Sequence, residues 1–144
     1  MIDDCAFENC TGIENLEFPQ GLDSIRSLAF SRCEGLKDIQ FPDRLEGIGV
    51  SAFFGCKSLT SVIFPNGLST IEEFAFSECK GLVSVVFPEG LTEIRDGAFT
   101  HCDKLDSLSF PASMEAINWN AFCENDIWAE HDITLSLIHI SEPT

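Results

Sequence analysis

The residues best suited to chemistry in this chain are its seven cysteines. Five of them, Cys10, Cys33, Cys56, Cys79 and Cys102, recur at a constant step of 23 residues. A thiolate is a nucleophile and a metal ligand, but a zinc site wants paired ligands at a spacing such as Cys-x-x-Cys. That spacing does not occur. A disulfide needs side chains that face each other, whereas cysteines held at one phase point the same way. His101-Cys102-Asp103 could suggest a nucleophile or a metal site. No other His or Cys stands at ligand spacing, so the triplet reads as coincidence. Asn9-Cys10-Thr11 fits the glycosylation sequon, a short motif also read as chance. Gly-rich phosphate loops, His-Glu-x-x-His and Gly-x-Ser-x-Gly are absent from the sequence. No catalytic residue, cofactor or metal is expected. The five in-phase cysteines read as a structural column of small apolar groups; Cys5 and Cys123 are off phase.

The cysteine step belongs to a longer pattern. Ala-Phe occurs at Ala6-Phe7, Ala29-Phe30, Ala52-Phe53, Ala75-Phe76, Ala98-Phe99 and Ala121-Phe122, always 23 residues apart. Leu36, Leu59, Leu82 and Leu105 keep the same phase, as do Phe41-Pro42, Phe64-Pro65 and Phe87-Pro88. So do Ile25, Ile48, Ile71, Ile94 and Ile117. Such a unit cannot bury its apolar side chains alone; stacked neighbours make one continuous core. The expected architecture is a repeat solenoid.

Within each unit the stretch ending in Phe-Pro alternates as a short strand. Val62 and Phe64 point one way, Ser61 and Ile63 the other. Proline lacks an N–H and ends the pairing. Strands one unit apart must pair in parallel, about 4.8 Å apart. The parallel strands line one face, with turns or short helical turns opposite. Small Ala allows close approach of adjacent coils, and Phe fills the middle. Gly12, Gly35 and Gly81 recur before the Leu position and read as turn residues.

Outward strand positions form three columns. One holds Glu14, Lys37, Thr60, Val83 and Asp106; the next Asn15, Asp38, Ser61, Ser84 and Ser107; the third Glu17, Gln40, Ile63, Val86 and Ser109. Ile63, Val83 and Val86 would cluster as exposed apolar groups among small hydroxyls, which marks a possible contact site. β-branched residues also simply suit strands. The candidate binding face is therefore Lys37, Thr60, Ser61, Ile63, Val83, Ser84, Val86 and Asp106. Trp119 could be a second contact point. A formal charge of −16 repels phosphate backbones and anionic headgroups, so nucleic acid and membrane surfaces are poor partners. No run approaches the roughly 18 apolar residues of a membrane span, and Met1-Ile2-Asp3-Asp4 lacks the start of a signal peptide.

Over residues 2–122 the pattern Ala-Phe-x-x-Cys-x-x-Leu, followed by Phe-Pro, resembles the BspA-type leucine-rich repeat. The resemblance implies a non-catalytic adhesion or binding module for a protein or glycan ligand. It also implies an extracellular or cell-surface setting. A targeting arm of a larger enzyme and a structural spacer are the alternatives, because fold analogy is a weak warrant for function. The sixth unit departs from the pattern, with Asn125 at the Cys position, Trp128 at the Leu position and His131 where Ile or Val belongs. Residues 135–144 resemble translated sequencing adapter. The solenoid is therefore expected to span 2–134 as part of a longer protein, with 135–144 a non-native tail.

Overall fold

The computed structural model describes residues 1–106, 108–118 and 120–122, with the backbone of Ile140–Ser141. Counting each coil from its Ala, the coils run 6–28, 29–51, 52–74, 75–97 and 98–120. The chain winds as a parallel β-solenoid, and no helix occurs among the described residues. The side opposite the strands is made of turns alone.

The stretch before Phe-Pro forms the expected strand: β1 (Asn15–Glu17), β3 (Asp38–Gln40), β5 (Ser61–Ile63) and β7 (Ser84–Val86). A second, shorter strand, not anticipated, forms at the Ile column. These are β2 (Ser24–Ile25), β4 (Gly47–Ile48), β6 (Thr70–Ile71), β8 (Glu93–Ile94) and β9 (Ala116–Asn118). Pairing is parallel with partners one repeat apart, as in Leu16 opposite Ile39 and Ile94 opposite Ile117. Ile140–Ser141 forms β10, with Ile140 opposite Ile117.

The turn side has a backbone device that no residue type announces. Two positions per coil are left-handed. One precedes Ala (Cys5, Leu28, Ser51, Phe74 and Gly97, φ 55° to 65°). The other precedes Cys (Asn9, Arg32, Gly55, Glu78 and His101, φ 57° to 71°). A non-glycine residue there is strained on its own and persists only where its surroundings impose it. The stack imposes it. The Leu28 N–H donates to the Val50 carbonyl at 3.0 Å, Phe30 to Ala52 at 2.8 Å and Arg32 to Phe54 at 2.6 Å. These turn-side amides donate to the following coil, whereas strand-side amides run both ways: Lys37 donates back to Glu14 at 2.7 Å and Phe64 forward to Val86 at 3.0 Å. Gly97 has a further reason to be glycine, since a Cβ there would enter the Phe74 ring. Gly35 and Gly81 do not have positive φ. A Cβ on either would strike the carbonyl of Thr11 or Lys57 in the coil below. They lie in the turns expected, and glycine is needed there for close approach between coils.

Two ladders of rings run through the core. Phe7, Phe30, Phe53, Phe76, Phe99 and Phe122 stack at 5.2 to 5.8 Å. Phe18, Phe41, Phe64, Phe87 and Phe110 stack at 5.3 to 6.3 Å. The ladders meet edge to face, with Phe64 against Phe76 at 5.3 Å and 90°. Each buried ring contributes about 1.5–3 kcal/mol by leaving water, and each ring pair about 0.5–1.5 kcal/mol more.

Among the described residues, both strand ladders are interrupted at the same level. The first-strand ladder divides into β1-β3 and β5-β7; the second-strand ladder divides into β2-β4 and β6-β8-β9-β10. Both divisions fall between the second and third coils. On the turn side the same coils stay bonded, with Phe30 to Ala52 at 2.8 Å and Ser51 to Glu73 at 3.0 Å. The rings also continue, Phe30 on Phe53 at 5.2 Å.

Candidate binding face

Strand alternation decides which side chains can meet a partner. Ile39, Val62 and Val85 point into the core, and their neighbours in β3, β5 and β7 point out. Ile63 sits opposite Val86, and Ser61 opposite Ser84. Ile63 is 67% exposed, Val86 55% and Val83 43%. The Val83 N–H donates to the Thr60 carbonyl at 2.8 Å, and the Asp106 N–H donates to the Val83 carbonyl at 3.1 Å. Thr60, Val83 and Asp106 therefore stand in line, all exposed. Lys37 lies in the second coil, its Nζ 3.4 Å from Glu14 Oε2. The fold thus brings Thr60, Ser61, Ile63, Val83, Ser84 and Val86 together on coils three and four. Lys37 and Asp106 stand at either side. Ser107 lies outside the described residues.

The face has two chemistries. Over coils one and two it presents Glu14, Asn15, Glu17, Lys37, Asp38 and Gln40, all exposed. Over coils three and four it presents aliphatic and hydroxyl groups. Each half borders a shallow groove beside the Phe-Pro corner. One is lined by Glu17, Gln20 and Gln40 with Phe18, Phe41 and Pro42. Its counterpart, three repeats on, is lined by Val86, Glu89 and Ser109 with Phe87, Phe110 and Pro111.

The cysteines are held as core groups. Cys33, Cys56, Cys79 and Cys102 have no exposed surface. Each thiol donates to a phenylalanine carbonyl in the coil below: Cys33 to Phe7 at 3.2 Å, Cys56 to Phe30 at 3.4 Å, Cys79 to Phe53 at 3.3 Å and Cys102 to Phe76 at 3.2 Å. Burial pushes all four thiols up, Cys102 to about 12 and Cys56 and Cys79 far above the usual range. A thiol kept protonated at neutral pH is a poor nucleophile. Cys10 is only half-buried, and Cys5 is exposed. All six described cysteines are free thiols.

His101, Cys102 and Asp103 do not converge. His101 is left-handed and its Nε2 lies 3.9 Å from Glu78 Oε1; Cys102 points into the core, and Asp103 is exposed. Among the described residues no group of three His, Cys, Asp or Glu side chains could hold a metal ion. No helix among them is long and apolar enough to cross a membrane. Asn9, of the sequon, is exposed and left-handed. Trp119, Cys123, Asn125, Trp128 and His131 lie outside the described residues.

A second exposed apolar group, missed in the sequence, sits on the turn side. Val50 and Phe74 are each 38% exposed, and the Arg32 guanidinium lies 5.9 Å from the Phe54 ring centre. The signal available was the variability of the two columns that precede Ala, which place Val50 and Phe74 where other coils have Glu73, Asp96 or Gly97.

The geometry agrees with relatives of known structure. A leucine-rich cell surface protein from Faecalibacterium prausnitzii A2-165 matches at 27% identity and a TM-score of 0.82, over 92% of this chain and 36% of that one. A leucine-rich repeat protein from Bacteroides ovatus matches at 30% identity and 0.64, over 79% of this chain and 36% of that one. The T. pallidum leucine-rich repeat protein matches at 29% identity and 0.56, over 70% of this chain and 58% of that one. This chain therefore spans little more than a third of the length of the first two. No curated protein matches it. The family model for the BspA type leucine-rich repeat region matches six copies over residues 1–128. The 23-residue coil, its stacked phenylalanines and that match place the chain in the BspA-type leucine-rich repeat family.

Proposed function

We propose that this chain is a non-catalytic binding module that works at the cell surface, and that its strand face over coils three and four contacts a protein or glycan ligand. The observation that carries the reading is the exposed patch of Ile63, Val83 and Val86, among the most exposed large apolar side chains of an acidic chain. Exposed aliphatic side chains within a polar rim favour contact with a partner. Parallel solenoid faces supply extended surfaces of this kind. The surface setting is supported by the described cell surface protein from F. prausnitzii among the similar structures.

The test is binding of the purified chain to a panel of immobilised extracellular-matrix proteins and oligosaccharides. Wild type is compared with Ile63→Asp/Val86→Asp and with Val50→Asp on the turn side. The proposal expects a panel member bound by wild type and by Val50→Asp but lost by the folded double variant. Undiminished binding by that double variant counts against the strand face.

A further inference from the structure

The two grooves beside the Phe-Pro corner differ in lining at equivalent positions. Glu17, Gln40 and Gln20 in the first stand where Val86, Ser109 and Glu89 stand in the second. The second groove alone pairs an exposed aliphatic wall with a carboxylate. Val86 is 55% exposed and Glu89 is exposed. Pro111 and Phe110 complete the wall. Such a lining suits a long side chain that is apolar along its stem and cationic at its tip, as lysine and arginine are.

Charge over the wider face points the same way. Three of the four lysines are already engaged, Lys37 by Glu14 at 3.4 Å, Lys57 by Glu34 at 3.2 Å and Lys80 by Glu78 at 3.8 Å. Glu17, Asp38 and Glu89 form no ion pair with a described residue. A partner with basic groups would therefore meet uncompensated carboxylates around an aliphatic centre, and complementary potential favours that encounter. The described outward strand positions carry no aromatic side chain. A sugar ring packs its C–H face best on an aromatic plane, so aliphatic Ile63, Val83 and Val86 favour a polypeptide.

We infer that the groove at Val86, Glu89 and Pro111 receives a lysine or arginine side chain from an extended polypeptide partner. This rests on the proposal that the strand face is the binding face. The stem lies along Val86 and Pro111, and the cationic tip reaches Glu89. Aliphatic residues of the same segment cover Ile63 and Val83. The equivalent groove over coils one and two lacks both the aliphatic wall and the Glu89 carboxylate.

The probes are three synthetic hexapeptides with a central valine flanked by lysines, by glutamines or by glutamates, titrated into the isotope-labelled chain. Amide shifts locate binding and give the affinity. The expected result is that the lysine peptide shifts Val86, Glu89 and Ser109 and binds more tightly than the glutamine peptide. The glutamate peptide should not bind. Glu89→Gln should weaken the lysine peptide about two- to fivefold, as loss of one partly exposed ion pair would, and leave the glutamine peptide unchanged. Val86→Asn should weaken both. Equal binding of lysine and glutamine peptides, both lost in a folded Val86→Asn variant, would leave the face in place but overturn the basic-side-chain site. Lysine-peptide binding unchanged in folded Val86→Asn and Ile63→Asn variants would overturn the face itself. A lysine peptide that shifts no amide in the groove, or an oligosaccharide that binds there where no peptide does, would also overturn the inference.

Discussion

The two sides of one coil obey different rules. On the turn side the inward Ala, Phe and Cys columns repeat in every unit, and variation is left to outward positions such as Val50 and Phe74. Ala29, Ala52, Ala75 and Ala98 have no exposed surface, Phe30, Phe53, Phe76 and Phe99 at most 1%, and Cys33, Cys56, Cys79 and Cys102 none. On the strand side the inward column repeats but the outward columns change, from Glu17 and Gln40 to Ile63, Val86 and Ser109. The sides also part between coils two and three, where turn-side bonds continue and the strand ladders divide. Recurrent positions are those whose neighbours above and below leave no alternative. Variable outward side chains such as Ile63 and Val86 face water.

Breaking the turn side should have the largest effect. Phe76→Ala removes a ring that stacks on Phe53 at 5.2 Å and on Phe99 at 5.8 Å. The expected loss is about 3–5 kcal/mol, read from urea denaturation. Next comes Gly97→Ala. Gly97 has φ +65°, and a Cβ would enter the Phe74 ring. The expected loss is about 1–3 kcal/mol, and Phe74→Ala should recover the steric part.

The thiol column should show as a pH effect. The folded state raises these thiols above the ordinary range, so it holds their protons more tightly than the unfolded chain does. Their contribution is fully present below the unfolded thiol pKa of about 8.5. It is lost as pH rises from there toward the folded value, about 12 for Cys102. Melting temperature should therefore fall from about pH 8.5 upward. The fall should be shallower in Cys56→Ala/Cys79→Ala. Equal slopes would mean that burial of the thiols does not set the alkaline limit. A smaller effect sharpens the division between coils two and three: backbone amides of β5 and β6 should exchange hydrogen faster than those of β7 and β8. Uniform protection along the solenoid would argue against the interruption.

Much of this fold was legible because a 23-residue step sets which residue lies above which. The Ala, Phe and Cys columns and the outward position of Ile63 and Val86 follow from phase and alternation. The second strand at Ile25, Ile48, Ile71 and Ile94 was not legible, since two residues are too few to show a period. Nor were the left-handed positions. Cys5, Leu28, Ser51 and Phe74 share no side-chain chemistry, because neighbouring coils impose the conformation through their carbonyls. Gly35 and Gly81 were noticed for their phase, but their reason lies in the coil below. The candidate site was legible only as columns. Which outward residues border a groove depends on how the chain turns at Phe87-Pro88 and Phe110-Pro111, which alternation does not specify.

The most direct test of a stabilising turn side and a binding strand side is a paired measurement on Ile63→Asp/Val86→Asp. Both side chains are mostly in water, so unfolding free energy should stay within about 0.5 kcal/mol of wild type for each surface change, while binding to the panel ligand is lost. A variant that unfolds by several kcal/mol, or one that folds normally and still binds, would contradict the account.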